Sequence, residues 1–527
     1  MMFENRSFDH ILGGMPGVNG VLNTSKDINQ ELYNYLDPTN PDEPGNQKQV
    51  PFPIQPGDSE QTYISDSGGF DHAFNVMFTD LYGPGTTGVI KGEPQNNPWP
   101  AFPAINNGFV NINNKQYGQA PYAQQYPVMS FFEWQKMQVF HKLVKEYVVC
   151  DNWFCDIPGH TAPNRAFMHC ATTGDLHLEN DDNANESYPI SKPLYMVNRE
   201  SIFERLEKFD NTWKMYAPQP ALHNNLDTYF LNDEVAGRLY NPADLNQTNC
   251  SGVPLEQFCA DVKSGNLPDY SFIMCFNHHN DPSMHPVAAV EPGENLLAGV
   301  YNTLRESDHW NDTLLVVNFD ENGGIYDHVR PPRTVPPHPD EPAQSVRVGG
   351  QTYTFDFSIL GFRIPAILIS PWLAKGVETQ QLQNTSILRF LQDRFCVPKP
   401  PFDPLQPPTS YLTQRDRFAN SIQVVFDNFG LTAPRTDCLS NVEPYKDSVY
   451  SEGICTPAFP SEEALQARPK QYMVDLTLEY IAALPGHPDS GRQVHRQFET
   501  VAELNAYTSE RVEAAVMYYN QQKSSPR

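Results

Sequence analysis

The sequence predicts a three-layer α/β fold, with a mostly parallel central sheet, helices on both faces and long loop insertions. Three observations carry this prediction. Five short apolar runs read as buried strands: 147–150, 212–216, 270–276, 313–319 and 364–370. Helical patterns lie between them, at 130–147, 200–209, 293–306 and 385–395. Each apolar run ends in a cluster of polar residues. Short apolar strands alternating with helices are the signature of a sheet buried on both faces.

Other stretches resist packing into that sheet. Residues 37–58 and 94–127 are rich in Pro, Asn, Gln and Gly, and 331–342 and 398–408 are rich in Pro. They read as surface excursions around a site. The segment 500–522 reads as a long charged amphipathic helix. The chain divides into a catalytic unit over 1–397 and a C-terminal extension over 398–527, expected to pack on it. Residues 1–3 look like the tail of a strand that began earlier in a longer product.

The composition excludes several classes. With 527 residues, 39% hydrophobic content and no apolar run of membrane-spanning length, no transmembrane segment is expected. A formal charge of −27 repels nucleic acid and anionic lipid, so no nucleic-acid partner is expected. An anionic phosphate substrate would need local positive charge, most simply a divalent metal. The nine cysteines form no CxxC pairs and no disulfide scaffold, although Cys250 with Cys259, or Cys438 with Cys455, are close enough in sequence to bridge. Sequons at Asn23, Asn185, Asn246, Asn249, Asn311 and Asn384 lean toward a secretory history, without a signal peptide in this chain.

In an open parallel sheet, ligands bind beyond the carboxyl ends of the strands. Four such ends are chemically loaded. Residues 4–10 read Glu-Asn-Arg-Ser-Phe-Asp-His, and 158–165 read Pro-Gly-His-Thr-Ala-Pro-Asn-Arg. Residues 277–281 read Asn-His-His-Asn-Asp, and 320–324 read Asp-Glu-Asn-Gly-Gly. Glu4, Asn5, Asp320 and Glu321 are hard oxygen donors suited to one divalent ion, Ca²⁺, Mg²⁺ or Zn²⁺. Thr161 precedes a helical pattern, where a hydroxyl meets free backbone N–H groups and either caps the helix or attacks a bound anion. Asn164 lies one turn further on. His72, His223 and His285 are candidate acid or anion-binding groups, with His279 and Arg165 assigned to substrate binding. Asp327-His328 reads as an outer pair around the site.

Three of these motifs resemble the phosphoesterase family of bacterial phospholipase C, plant non-specific phospholipase C and acid phosphatase A: Glu4–His10, Pro158–Arg165 and Asp320–Val329. They occur in the family's order, and the resemblance extends to about Trp372. His160 stands where the family commonly has proline. The resemblance implies an alkaline-phosphatase-like sandwich, a metal among Glu4, Asn5, Asp320 and Glu321, and Thr161 as the attacking hydroxyl. It implies that His72, Asn164, His223 and His285 contact the phosphate or leaving group. The expected activity is phospholipase C-type hydrolysis of a phospholipid at a membrane surface through a phosphothreonine. The alternatives are a phosphomonoesterase and a non-catalytic descendant.

Overall fold

The structure, a computed structural model, describes residues 1–24, 126–174, 199–218, 246–275, 289–348, 351–396 and 411–455 continuously, with short pieces elsewhere. The excursions over 37–58 and 94–127, the helix expected over 500–522, and His72, His223 and His279 lie wholly or largely outside the described residues.

Five strands make one sheet: β1 (Met2–Phe3), β2 (Val148–Cys150), β6 (Leu315–Phe319), β7 (Ala366–Ile369) and β8 (Gly376–Glu378). Three more make another: β3 (Trp213–Ala217), β4 (Cys250–Pro254) and β5 (Tyr270–Ile273). A parallel bridge from Met2 to Met274 joins them, giving the order β4-β3-β5-β1-β6-β7-β2-β8. Only β7 runs against its neighbours. The sheet is mostly parallel, as the alternating pattern predicts. All five expected strands are present. The edge strands β4 and β8 were not foreseen, because Ser251 and Gly252 interrupt one apolar run and the other spans three residues.

Side chains alternate faces along a strand, and the ring contacts of β3 therefore fix the layers. Trp213 packs on Phe203 of α4 (Ile202–Lys208), whereas Tyr216, on the opposite face, packs on Phe258 of α5 (Leu255–Ser264). Phe272 of β5 is in register with Met215, on the Trp213 side, and meets His169 of α3 (Thr161–Cys170). Helices thus cover both faces, and the protein is an α/β/α sandwich. α3 and α4 also pack against α7 (Thr385–Phe395), and α5 against α6 (Glu291–Arg305).

The described C-terminal part lies on this body. The amides of Asn295 and Asn302 on α6 exchange hydrogen bonds with the backbone of Val442, Tyr445 and Val449. The disulfide is Cys259–Cys455, which ties α5 to that segment across 196 residues. This corrects both pairings suggested by sequence proximity. Cys250 lies in β4 and Cys438 is buried elsewhere, each a free thiol. Short sequence separation did not bring their sulfurs together, whereas the docking of the extension did. The sequon at Asn384 is also corrected: its side chain is fully buried and accepts from Trp153 and Asn318, so no glycan fits in the fold.

Candidate active site

Parallel pairing of β1 with β6 sets Met2 against Asn318 and Phe3 against Phe319. The next residues out of the two strands are Glu4 and Asp320, then Asn5 and Glu321, so two distant acidic motifs emerge side by side. Asp320 N–H donates to the Phe3 carbonyl at 3.0 Å, continuing the ladder. The Asp320 carboxylate accepts from the backbone N–H groups of Asn5 (3.0 Å) and Glu321 (2.7 Å). Glu321 accepts from Gly323 N–H at 2.5 Å. All four residues are buried, and the pairing of β1 with β6 sets their two motifs side by side.

The turn is tight enough to dictate residue type. Asn5 adopts φ 61°, a left-handed conformation that asparagine tolerates better than most residues. Gly323 has φ +64°, and a Cβ there would lie 2.2 Å from the Asn5 carbonyl oxygen. Glycine is therefore required for the two motifs to touch.

Thr161 is the first residue of α3 and is half-buried. The N-cap is His160, which makes no side-chain capping bond, so Thr161 is not itself the cap. Its hydroxyl donates to Asn5 Oδ1 at 3.2 Å. Asn164 is buried, and its amide donates to the carbonyls of Ile157 (3.2 Å), Gly159 (2.9 Å) and His160 (3.2 Å) while accepting from Ile157 N–H. It braces the loop that presents Thr161. Arg165 lies beneath, fully buried, paired with Glu4 and Asp320 at 3.1 Å each. The structure joins it to the acids rather than to an open surface. His285 is half-buried in a turn joined to the first motif: Ser283 O accepts from Glu4 N–H (2.9 Å) and Met284 O from Arg6 Nε (2.5 Å).

The acids crowd one another. Glu4, Asp320 and Glu321 are three buried carboxyl groups, and Arg165 pairs with the first two. Burial, and then the Asp320 and Glu4 charges, push the Glu321 carboxyl well above its ordinary range. Burial raises Asp320 also, with Arg165 opposing it. A divalent cation would remove this conflict, and the hard carboxylate and amide oxygens suit it. In donor chemistry these residues suit a divalent ion.

A second buried cluster was only partly foreseen. Asp9, Asp327 and His328 offer ligand atoms within 4.8 Å of one another, a grouping compatible with a divalent ion. Arg363 already sits among them, pairing with Asp9 at 3.0 Å and Asp327 at 3.2 Å. His328 Nδ1 lies 2.6 Å from Asp9. Burial alone would raise the Asp9 carboxyl, but His328 and Arg363 outweigh it and hold it below its ordinary range. Burial raises the Asp327 carboxyl to about 6, with Arg363 opposing the shift. No local pattern marks Arg363, since its partners lie 36 and 354 residues away.

A profile described as the phosphoesterase family matches residues 1–398. Non-specific phospholipase C3 of Arabidopsis thaliana is 30% identical over 451 residues, which cover 82% of this chain and 73% of that protein. Non-specific phospholipase C5 of the same plant is 29% identical, covering 88% and 80%. Phospholipase C B of Mycobacterium tuberculosis is 28% identical, covering 76% and 73%. A solved alkaline phosphatase superfamily protein of Vibrio parahaemolyticus is 14% identical with a TM-score of 0.26, covering 48% of this chain and 58% of that one. The fold assignment rests on the topology above and not on that overlap.

Proposed function

Because this chain belongs to the phosphoesterase family, we propose that it is a phospholipase C-type hydrolase in which Thr161 attacks the phosphorus of a phospholipid. The observation that carries this reading is the hydrogen bond from Thr161 Oγ1 to Asn5 at 3.2 Å, which places one hydroxyl beside the acidic cluster and at the start of a helix. The names of the plant and mycobacterial relatives supply the substrate class.

Glu4, Asn5, Asp320 and Glu321 would hold the metal. When bound, it supplies positive charge that favours the threonine alkoxide and offsets the charge of the phosphoryl group. The free N–H groups of the first turn of α3 bind phosphate oxygens. Thr161 Oγ1 bonds to phosphorus as the bond to the diacylglycerol oxygen breaks. A histidine, His285 among the described candidates, gives its proton to the departing oxygen. Water then cleaves the phosphothreonine, returning a proton to the histidine and releasing the phosphorylated head group. Asn164 holds the loop, and Arg165 holds two of the acids. His72, His223 and His279 remain candidates for the leaving-group and phosphate contacts.

The test is turnover by Thr161→Ala, with Thr161→Ser as control, on phosphatidylcholine and on p-nitrophenyl phosphate. Removing a nucleophile from a catalytic set costs on the order of 10⁴-fold or more in kcat, and Thr161→Ser should retain measurable turnover. Full activity of a folded Thr161→Ala would refute the assignment. Turnover of the monoester alone would favour the phosphatase reading.

A further inference from the structure

The loop that presents Thr161 is held from outside the family-matched region. Asp156, five residues before Thr161, is fully buried. It accepts from Gln383 Nε2 (2.9 Å), Thr385 Oγ1 (2.9 Å) and Thr385 N–H (3.0 Å). Its remaining partner is Arg415, at the start of α8 (Gln414–Phe418), beyond residue 398 where the family match ends. Arg415 is also fully buried. Nη1 reaches the Asp156 side chain at 3.2 Å and its carbonyl at 2.6 Å. Nη2 donates to Phe357 O (2.6 Å) and Nε to Val335 O (2.7 Å). The guanidinium lies 4.8 Å from the ring of Phe167, on α3 itself. Two residues earlier, Thr413 Oγ1 donates to the carbonyl of Ala171, the residue that ends α3, at 3.1 Å.

The extension therefore grips the α3 unit at its lead-in loop, at its middle and at its end. A single planar guanidinium makes the first two contacts, a task that a lysine ammonium cannot reproduce. We propose that Arg415 is a positioning residue: acting through Asp156, it sets the height and direction of Thr161, so that the C-terminal extension completes the active site. Arg415 has no contact with the acidic ligands in this arrangement. Its effect falls on the placement of the nucleophile rather than on metal binding.

This inference rests on Thr161 as the nucleophile, and the experiment separates the two. Arg415→Lys keeps the charge and removes the fork. The full-length variant should lose about tenfold or more in kcat on p-nitrophenyl phosphate while KM stays within about twofold, because a small misplacement of the attacking atom costs rate before it costs binding. Lys214→Met serves as the control. It breaks the buried Lys214–Asp261 pair in the β3–α5 layer (2.7 Å), lowering stability without lowering kcat. If Arg415→Lys does not fold, the double variant Asp156→Asn/Arg415→Met, which leaves no buried charge unpaired, is measured instead. A folded variant with wild-type kcat overturns the proposal. So does failure of both to fold, since the contacts would then serve the fold and not the site. An active Thr161→Ala instead refutes the nucleophile assignment, whatever Arg415 does.

Discussion

At the level of single residues, the site depends on two motifs touching at one point. The backbone of Asn5 passes against Gly323 so closely that no side chain fits. Gly323→Ala should therefore destabilise the folded protein by about 3 kcal/mol, combining positive-φ strain with displacement of Asn5. Thermal or urea unfolding checks this, and a neutral result would mean that the turn is looser than described. The proposed metal centre gives a second expectation. Adding a divalent ion at about 100 times its Kd should stabilise the protein by about 2.7 kcal/mol. Glu321→Gln should weaken that response. Titrating Ca²⁺, Mg²⁺ and Zn²⁺ in separate thermal-shift experiments would identify the ion. The meeting of the two acidic motifs was legible in the sequence, because each follows an apolar run and the glycines marked the turn. Arg363 and Arg415 were not. Their partners are distant in the chain, and a buried arginine looks like any other arginine until the fold is known.

At the level of elements, the strands announced themselves through short apolar runs, and 385–395 agrees with the observed α7. The pattern over 130–147 was too generous. Only Phe140–Glu146, here α2, is α-helical, and residues 127–129 form a single 3₁₀ turn before a short strand. The start of α2 is capped from another element: Glu294 of α6 accepts from the N–H groups of Val139 (3.1 Å) and Phe140 (2.5 Å). A cap delivered across 154 residues leaves no local signal. It has a titration consequence. Burial pushes the Glu294 carboxyl from its ordinary 4.5 to about 7, with Phe140 N–H opposing the shift. Below pH 4.5 both folded and unfolded chains carry the proton, and nothing is lost. Between 4.5 and about 7 the unfolded chain has released it while the folded chain has not, so stability falls as pH rises. The loss, about 3 kcal/mol, is complete above that window. Glu294→Gln should flatten it, as seen by subtracting the variant's unfolding free energies from those of the parent across pH 4–8. A constant difference would contradict the account.

At the level of the whole molecule, composition gave the class and missed the tether. Nine cysteines and two near pairs in sequence suggested local bridges, but the extension carries Cys455 back to α5. Closing a loop of 196 residues restricts the unfolded chain strongly. Cys455→Ser should lower stability by about 3–5 kcal/mol, and differential scanning calorimetry of the variant checks it. The charge of −27 bears on the substrate surface. Hydrolysis of anionic vesicles should rise with salt as the repulsion is screened, whereas zwitterionic vesicles should respond little. No helix among the described residues is long and apolar enough to cross a membrane. The claim on which the rest depends is covalent chemistry at one hydroxyl. Acid quenching of the enzyme during turnover of labelled p-nitrophenyl phosphate, followed by peptide mass spectrometry, examines it directly. The account predicts phosphate on the peptide bearing Thr161 and none in Thr161→Ala. Phosphate on another residue, with Thr161→Ala still turning over, would contradict it.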